Sequence, residues 1–238
     1  MRSTNNDLGA GLKIIAALLL LVLTIWLCAS RADFSPRSCV DIPDPADTAE
    51  AFFSALSDGR YEDCDALLYN YSSLGLASST DAQLAQYLYD LLRDSYSYTV
   101  IRDDPEAAVP APAAGDVSAT DAYPALVTAA KEAYALNGVS GKDAVQAVRF
   151  THLDFGSLTG DLHARAEDIA YEYAYQSIDI NDEETATQAV NEALYQITDD
   201  IGRYYRTDIF AISMKYVDGE WKIVLDDALY RAIIGNIA

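Results

Sequence analysis

An apolar run without a single charge, residues 14–30 (IIAALLLLVLTIWLCAS), constrains this chain more than any other feature. A helix needs roughly 17 to 25 apolar residues to cross the hydrocarbon core of a bilayer, so the run is just long enough. Lys13 can extend the span by reaching the headgroups, and Trp26 lies near the far end, where an indole prefers the interface. We therefore predict a transmembrane helix that is retained as a signal-anchor.

Two other interpretations of the run stay open at this point. Basic residues precede it and small residues follow it, as in a cleaved signal peptide, although Cys28-Ala29-Ser30 contains no clean A-x-A cleavage motif. The run also has the composition of a buried core helix. Purification of the mature chain and determination of its N-terminal residue would separate a cleaved signal from a retained anchor.

The position of the run predicts the organisation of the rest of the chain. Positive charges are nearly equal on its two sides, so the positive-inside rule does not decide the orientation. We place the N-terminus inside, because the N-terminal tail is short and the folded part of the chain follows the span. We expect a cytoplasmic tail (1–13), a proline-containing stalk (31–45) and an extracytoplasmic domain (46–238) on a single-pass cell-membrane protein. A Pro/Ala-rich stretch at about 103–123 is predicted to be a mobile insertion in that domain.

The charge balance limits the classes of partner. The chain carries 37 acidic and 16 basic residues, a formal net charge of −21. A surface this acidic repels phosphate backbones, which argues against nucleic acid, and it avoids lying flat on an anionic leaflet. The predicted contact with the membrane is therefore made through residues 14–30 alone.

Three cysteines invite a prediction about disulfide bonding. Cys28 lies within the apolar run, whereas Cys39 and Cys64 lie beyond it and would share an oxidising compartment. A bond between Cys39 and Cys64 would close a loop of about 25 residues and stabilise the domain by about 3 kcal/mol in the chain-entropy model. Two unpaired thiols are the alternative.

Hydrophobic periodicity predicts a mixture of helices and strands. Asp44 and Pro45 form a typical helix start, and Asp218-Gly219 between two alternating stretches is a strong hairpin signal. Helices are expected at 45–58, 61–69, 80–94, 124–136, 158–177, 182–201 and after Asp226 or Asp227, and strands at 96–101, 145–155, 205–217 and 220–225. The order predicts an α+β fold with a curved antiparallel sheet packed on N-terminal helices and a helical insertion. One core is expected to contain Phe52, Phe53, Leu88, Trp221 and Ile223.

Both ends of the domain resemble a known superfamily. Residues 51–65 (AFFSALSDGRYEDCD) and 216–235 (YVDGEWKIVLDDALYRAIIG) are similar to the first helices and the terminal hairpin of nuclear-transport-factor-two-like domains, which have a cystatin-like cone. The resemblance points to membrane-anchored extracytoplasmic members in Gram-positive bacteria. It implies a cone whose mouth holds a small ligand, in a superfamily of isomerases, dehydratases and non-enzymatic binding modules.

Few residues suggest a catalytic, metal-binding or ligand-binding role. Asp154 is a weak candidate for a catalytic base, and His152 lies two positions before it on the same predicted strand face, whereas His163 lies on another element. We predict no metal site and no cofactor. Tyr171 and Tyr175 share one helix face, and we expect them to pack at a core edge, with a platform for a sugar or protein partner as the alternative.

These patterns favour a non-catalytic binding module over an enzyme. Its partner would be a small ligand, a cell-wall component or an envelope protein, because the chain's many aromatic residues are better suited to forming binding contacts than to catalysis. The alternative is a cone-pocket enzyme of the isomerase or dehydratase type, which uses a carboxylate base.

Overall fold

The computed structural model describes residues 42–76, 83–112, 117–176, 178–179 and 182–236. The described α-helices are α1 (Pro45–Ser57), α2 (Tyr61–Ala66), α3 (Gln83–Ser95), α4 (Val117–Tyr134), α5 (Phe155–Tyr175), α6 (Glu183–Thr198) and α7 (Asp227–Ile233). The described strands are β1 (Ser97–Val100), β2 (Gly138–Ser140), β3 (Asp143–Leu153), β4 (Tyr205–Val217) and β5 (Glu220–Ile223). A 3₁₀ turn, Ile201–Tyr204, joins α6 to β4.

The predicted signal-anchor at 14–30 lies outside these ranges, as do the tail at 1–13 and most of the stalk. Within the ranges, no helix combines the length and the apolar content that a membrane crossing requires. The retained anchor therefore stays a prediction.

The predicted start of α1 is confirmed. Asp44 is the N-cap, and its Oδ1 accepts a hydrogen bond from the Ala46 amide at 2.9 Å, with Pro45 at the first helical position. Phe52 and Phe53 are completely buried on the inner side of the helix. Gly59 follows with φ +70°, a left-handed conformation that glycine adopts without strain and that ends the helix.

The strands form one antiparallel sheet that curls into a half-barrel, in the order β1-β3-β4-β5, and β2 pairs with the remaining part of β3. The long β3–β4 ladder places Asp143 opposite Lys215 at one end and Leu153 opposite Tyr205 at the other. The predicted hairpin between β4 and β5 is confirmed, because Asp218 and Gly219 both have positive φ, as a tight two-residue turn requires.

The predicted core is confirmed. Side chains from β3, β4 and β5 pack against α1, α3 and α7 on one face of the sheet. Trp221 and Ile223 are buried there with the two phenylalanines of α1, and Leu88 packs against them while partly exposed. The predicted α+β class with a curled antiparallel sheet packed on N-terminal helices therefore describes the fold.

A second, smaller core covers the opposite face of the sheet. Ala130 and Ala133 of α4 pack there on Ala147, together with Ala108 and Val109 from the Pro/Ala-rich stretch. The prediction that this helix begins at Pro124 is wrong, because α4 begins at Val117 and contains that proline in its interior. The Pro/Ala-rich stretch thus contributes buried side chains and the first turns of a helix.

Helices α5 and α6 form an antiparallel hairpin. Asp154 caps α5 and Asp182 caps α6. Ile169 of α5 packs against Ala189 and Ala193 of α6, two small residues four positions apart that allow close approach. Val190 of α6 is exposed, because the alanine pair occupies the contact face.

Candidate functional site

Asp154, the predicted candidate base, serves as a helix cap. Its Oδ1 accepts a hydrogen bond from the Ser157 amide at 3.3 Å, and its Oδ2 accepts one from the Ser157 hydroxyl at 3.1 Å. Strand β3 ends one residue earlier, so Asp154 does not share a strand face with His152. The carboxylate accepts a hydrogen bond from a backbone N–H that has no partner within α5, and this capping role explains why an aspartate precedes the helix.

His152 finds its carboxylate partner on the neighbouring strand. Its Nε2 lies 3.0 Å from Oδ2 of Asp208, and its ring stacks on Phe150 with centroids 5.6 Å apart. Because a carboxylate only accepts hydrogen bonds, Nε2 carries the proton. The His152 hydrogen bond lowers the pKa of Asp208 against the opposing effect of burial, and the Arg206 guanidinium lowers it further. His152 is completely buried, whereas the Asp208 side chain is 31% exposed, and their hydrogen bond links β3 to β4.

His163 lies apart from His152. It projects from α5 with 80% of its side chain exposed and contacts Glu167, one turn along the same helix, at 3.3 Å. In the part of the chain that the structure describes, no three His, Cys, Asp or Glu side chains are grouped so that they could hold a metal ion.

Cys64 lies on α2 within the main core and forms no disulfide bond with another described residue. It is completely buried, and its Sγ donates a weak hydrogen bond to the carbonyl of Phe52 at 3.5 Å. Burial raises the pKa of Cys64 to about 12, so the thiol stays protonated at neutral pH and is a poor nucleophile. Its predicted partner Cys39 lies outside the described residues, and the pairing stays a prediction.

The tyrosines of the α5–α6 hairpin are the most unusual surface feature of the domain. Tyr171 and Tyr175 on α5 are 75% and 93% exposed, and Tyr195 on α6 is 73% exposed. The prediction that the first two pack at a core edge is wrong, because Ile169 and Tyr173 take the inward positions of α5. Tyr173 instead donates a hydrogen bond from its hydroxyl to Glu192 of α6 at 2.8 Å. We call Tyr171 and Tyr175, which lie one turn apart on α5, the tyrosine surface.

The hairpin that carries the tyrosine surface is strongly acidic. Residues 155–200 contain 11 Asp and Glu side chains and one basic residue, Arg165. That arginine is already engaged, because its Nε donates to Oε1 of Gln196 at 2.6 Å. The aromatic rings therefore lie in a negative electrostatic potential that few basic residues of the hairpin offset.

A polar groove of about 350 Å³ lies at the base of the hairpin, beside the 3₁₀ turn. Asp161 lies at its centre: its Oδ2 pairs with Arg203 and accepts a hydrogen bond from the Tyr204 hydroxyl at 2.8 Å. These two contacts lower the pKa of Asp161. Most charged groups of the groove pair with one another, and the contacts of Asp161 join α5 to the 3₁₀ turn.

Comparison of the chain with known protein families, with curated proteins and with solved structures found no match.

Proposed function

We propose that this chain is a membrane-anchored, extracytoplasmic, non-catalytic binding module, and that the tyrosine surface contacts a Lys/Arg-rich segment of another envelope protein. One observation carries the proposal: Tyr171 and Tyr175, one turn apart on a strongly acidic hairpin, are 75% and 93% exposed. The anchor rests on the apolar run at 14–30.

A contribution to helix stability does not explain why tyrosines occupy these exposed helix positions. Tyrosine has a lower helix propensity than the alanine, glutamate or lysine that usually covers a solvated helix face. Single exposed aromatic residues are common on protein surfaces, but Tyr171 and Tyr175 lie one turn apart on one face of α5. Tyrosine is enriched at protein interfaces, where it supplies a large contact area at a small entropic cost.

The charge of the hairpin selects the class of partner. A second copy of this chain would place 11 acidic side chains against 11 more, which like-charge repulsion opposes. An anionic leaflet and a nucleic acid are opposed for the same reason. A Lys/Arg-rich segment matches both the negative charge and the exposed rings of the hairpin. Its cations can pair with the carboxylates and lie over the tyrosine rings, and each ring contributes about 0.5–1 kcal/mol.

The positions of the candidate catalytic residues support binding over the enzyme alternative. The Asp154 carboxylate is bound by Ser157, and His152 is sealed inside the sheet. A relation to nuclear-transport-factor-two-like domains is part of the proposal, supported by the packing of the Phe52–Phe53 pair against the curled sheet. That superfamily includes binding modules without catalytic residues, so the relation agrees with the proposed role.

A photoreactive phenylalanine analogue in place of Tyr171 or Tyr175 tests this function in intact cells. We expect cross-links to a Lys/Arg-rich peptide of an envelope protein, and we expect protease added outside the cells to remove the cross-linked domain. Tyr69 provides the matched control, because it is 52% exposed but lies outside the hairpin. Equal cross-linking from position 69, or cross-links to lipid alone, would contradict the proposal.

A further inference from the structure

Arg149 is a half-buried cation on the central strand β3, on the sheet face opposite the main core. Its Nη2 donates a hydrogen bond to the Thr99 hydroxyl at 2.9 Å, and its Nε is buried without a hydrogen-bond partner. A buried polar group without a partner costs free energy, so a native structure that retains one calls for an explanation.

The missing counter-ion is unusual in this chain. Among the arginines that the structure describes, Arg231 is exposed, and six others pair with a carboxylate: Arg60, Arg93, Arg102, Arg165, Arg203 and Arg206. No such pair is formed by Arg149 within the described residues, although the sequence contains 37 acidic residues. Burial lowers the pKa of Arg149, with no opposing effect from an acidic neighbour.

Two threonines adjoin Arg149 on the same face of the sheet, whereas its neighbour on β4 is Ile209. Thr99 of β1 lies directly opposite Arg149 in the ladder, and Thr151 is the next residue of β3 on that face. Thr151 in turn faces Thr207 of β4, with their hydroxyl oxygens 2.8 Å apart. Side chains at neighbouring positions of one sheet face are about 5–7 Å apart, so one small ligand can reach the cation together with the hydroxyls of Thr99 and Thr151, while Thr207 holds the Thr151 hydroxyl.

We propose that Arg149, with Thr99, Thr151 and Thr207, forms a binding site for a carboxylate-bearing ligand. A planar carboxylate matches the fork formed by Nη1 and Nη2 of the guanidinium, and the hydroxyls of Thr99 and Thr151 can donate to its oxygens. The net charge of −21 disfavours a phosphate dianion more strongly than a monoanion. This site lies on the sheet and is independent of the tyrosine surface on the α5–α6 hairpin.

Titration of the full-length chain in neutral detergent with sodium acetate, at constant ionic strength, tests the site. Nuclear magnetic resonance signals of the Arg149 Nε–H and of the Thr99 and Thr151 amides should shift and saturate in the millimolar range. Arg149→Lys should weaken binding at least about fivefold, because an ammonium cannot form the two parallel bonds. Arg149→Met should abolish saturation of the threonine signals, whereas Arg231→Met, which removes an exposed arginine, should leave the titration unchanged.

Further ligands identify the source of the carboxylate. A blocked dipeptide with a free C-terminal carboxylate that binds more tightly than acetate indicates a peptide terminus, and equal affinity indicates a small organic acid. The amide of the same dipeptide should not bind. Inorganic phosphate that binds more tightly than acetate, or acetate shifts that persist in Arg149→Met, would overturn the assignment.

Discussion

Replacing Trp221 by alanine is expected to lower the free energy of unfolding by about 3–5 kcal/mol. The side chain is 1% exposed, its ring packs against Tyr216 with centroids 5.1 Å apart, and its Nε1 donates to the Pro43 carbonyl at 2.7 Å. The substitution therefore leaves a large cavity and also an unpaired carbonyl at the start of α1. A loss of this size is a large fraction of the stability of an ordinary domain.

Urea unfolding of the full-length chain, followed by far-ultraviolet circular dichroism, measures this loss. Trp221→Phe is the matched control, because it keeps most of the buried ring and removes the hydrogen bond to Pro43, and it should cost about 1–2 kcal/mol. A Trp221→Ala chain that unfolds within about 1 kcal/mol of the original would show that the β4–β5 hairpin does not pack as described.

Replacing Gly235 by alanine is expected to cost about 3 kcal/mol, from two sources. The residue has φ +72°, which an L side chain adopts only with strain. An added Cβ would also lie 2.7 Å from Cδ2 of Phe155 and 2.9 Å from the Leu153 carbonyl oxygen. The backbone has little freedom to move away, because the Gly235 carbonyl accepts a hydrogen bond from the Phe155 amide at 2.7 Å.

Gly75 separates the two sources of this cost. It has nearly the same conformation, φ +71°, but a Cβ added there would meet nothing within 4 Å. Gly75→Ala should therefore cost only the strain, about 1 kcal/mol, in the same urea experiment. Equal losses for the two variants would show that α7 is not packed tightly against the junction of β3 and α5.

Local signals were enough to predict most of the fold. The Asp44-Pro45 cap and the Asp218-Gly219 turn act within a few residues of the chain, and the structure places both where they were expected. The start of α4 was mispredicted because a proline usually lies in the first turn of a helix, whereas α4 begins seven residues before Pro124. Burial of the adjoining Ala108 and Val109 is a tertiary effect that the composition of the stretch does not reveal.

The site features depend on contacts that are distant in sequence. His152 and Asp208 are brought together by the β3–β4 register, and no spacing rule connects them. Tyr171, Tyr173 and Tyr175 alternate along α5, so their pattern alone does not say which ring packs inward. The small residues Ala189 and Ala193 of α6 decide it, since they receive the side of α5 that carries Tyr173.

We expect the tyrosine surface to add specific contacts to the electrostatic attraction between the hairpin and a basic partner. The most direct test is the Kd of the full-length chain, in neutral detergent, for a short peptide of alternating lysine and arginine. We expect Tyr171→Ser with Tyr175→Ser to weaken binding about tenfold, since two lost cation–π contacts together amount to about 1–2 kcal/mol. Tyr69→Ser, which removes a ring exposed elsewhere on the domain, should leave the Kd unchanged. Equal Kd values for the double variant and the original chain would contradict the account, because binding would then depend on charge alone.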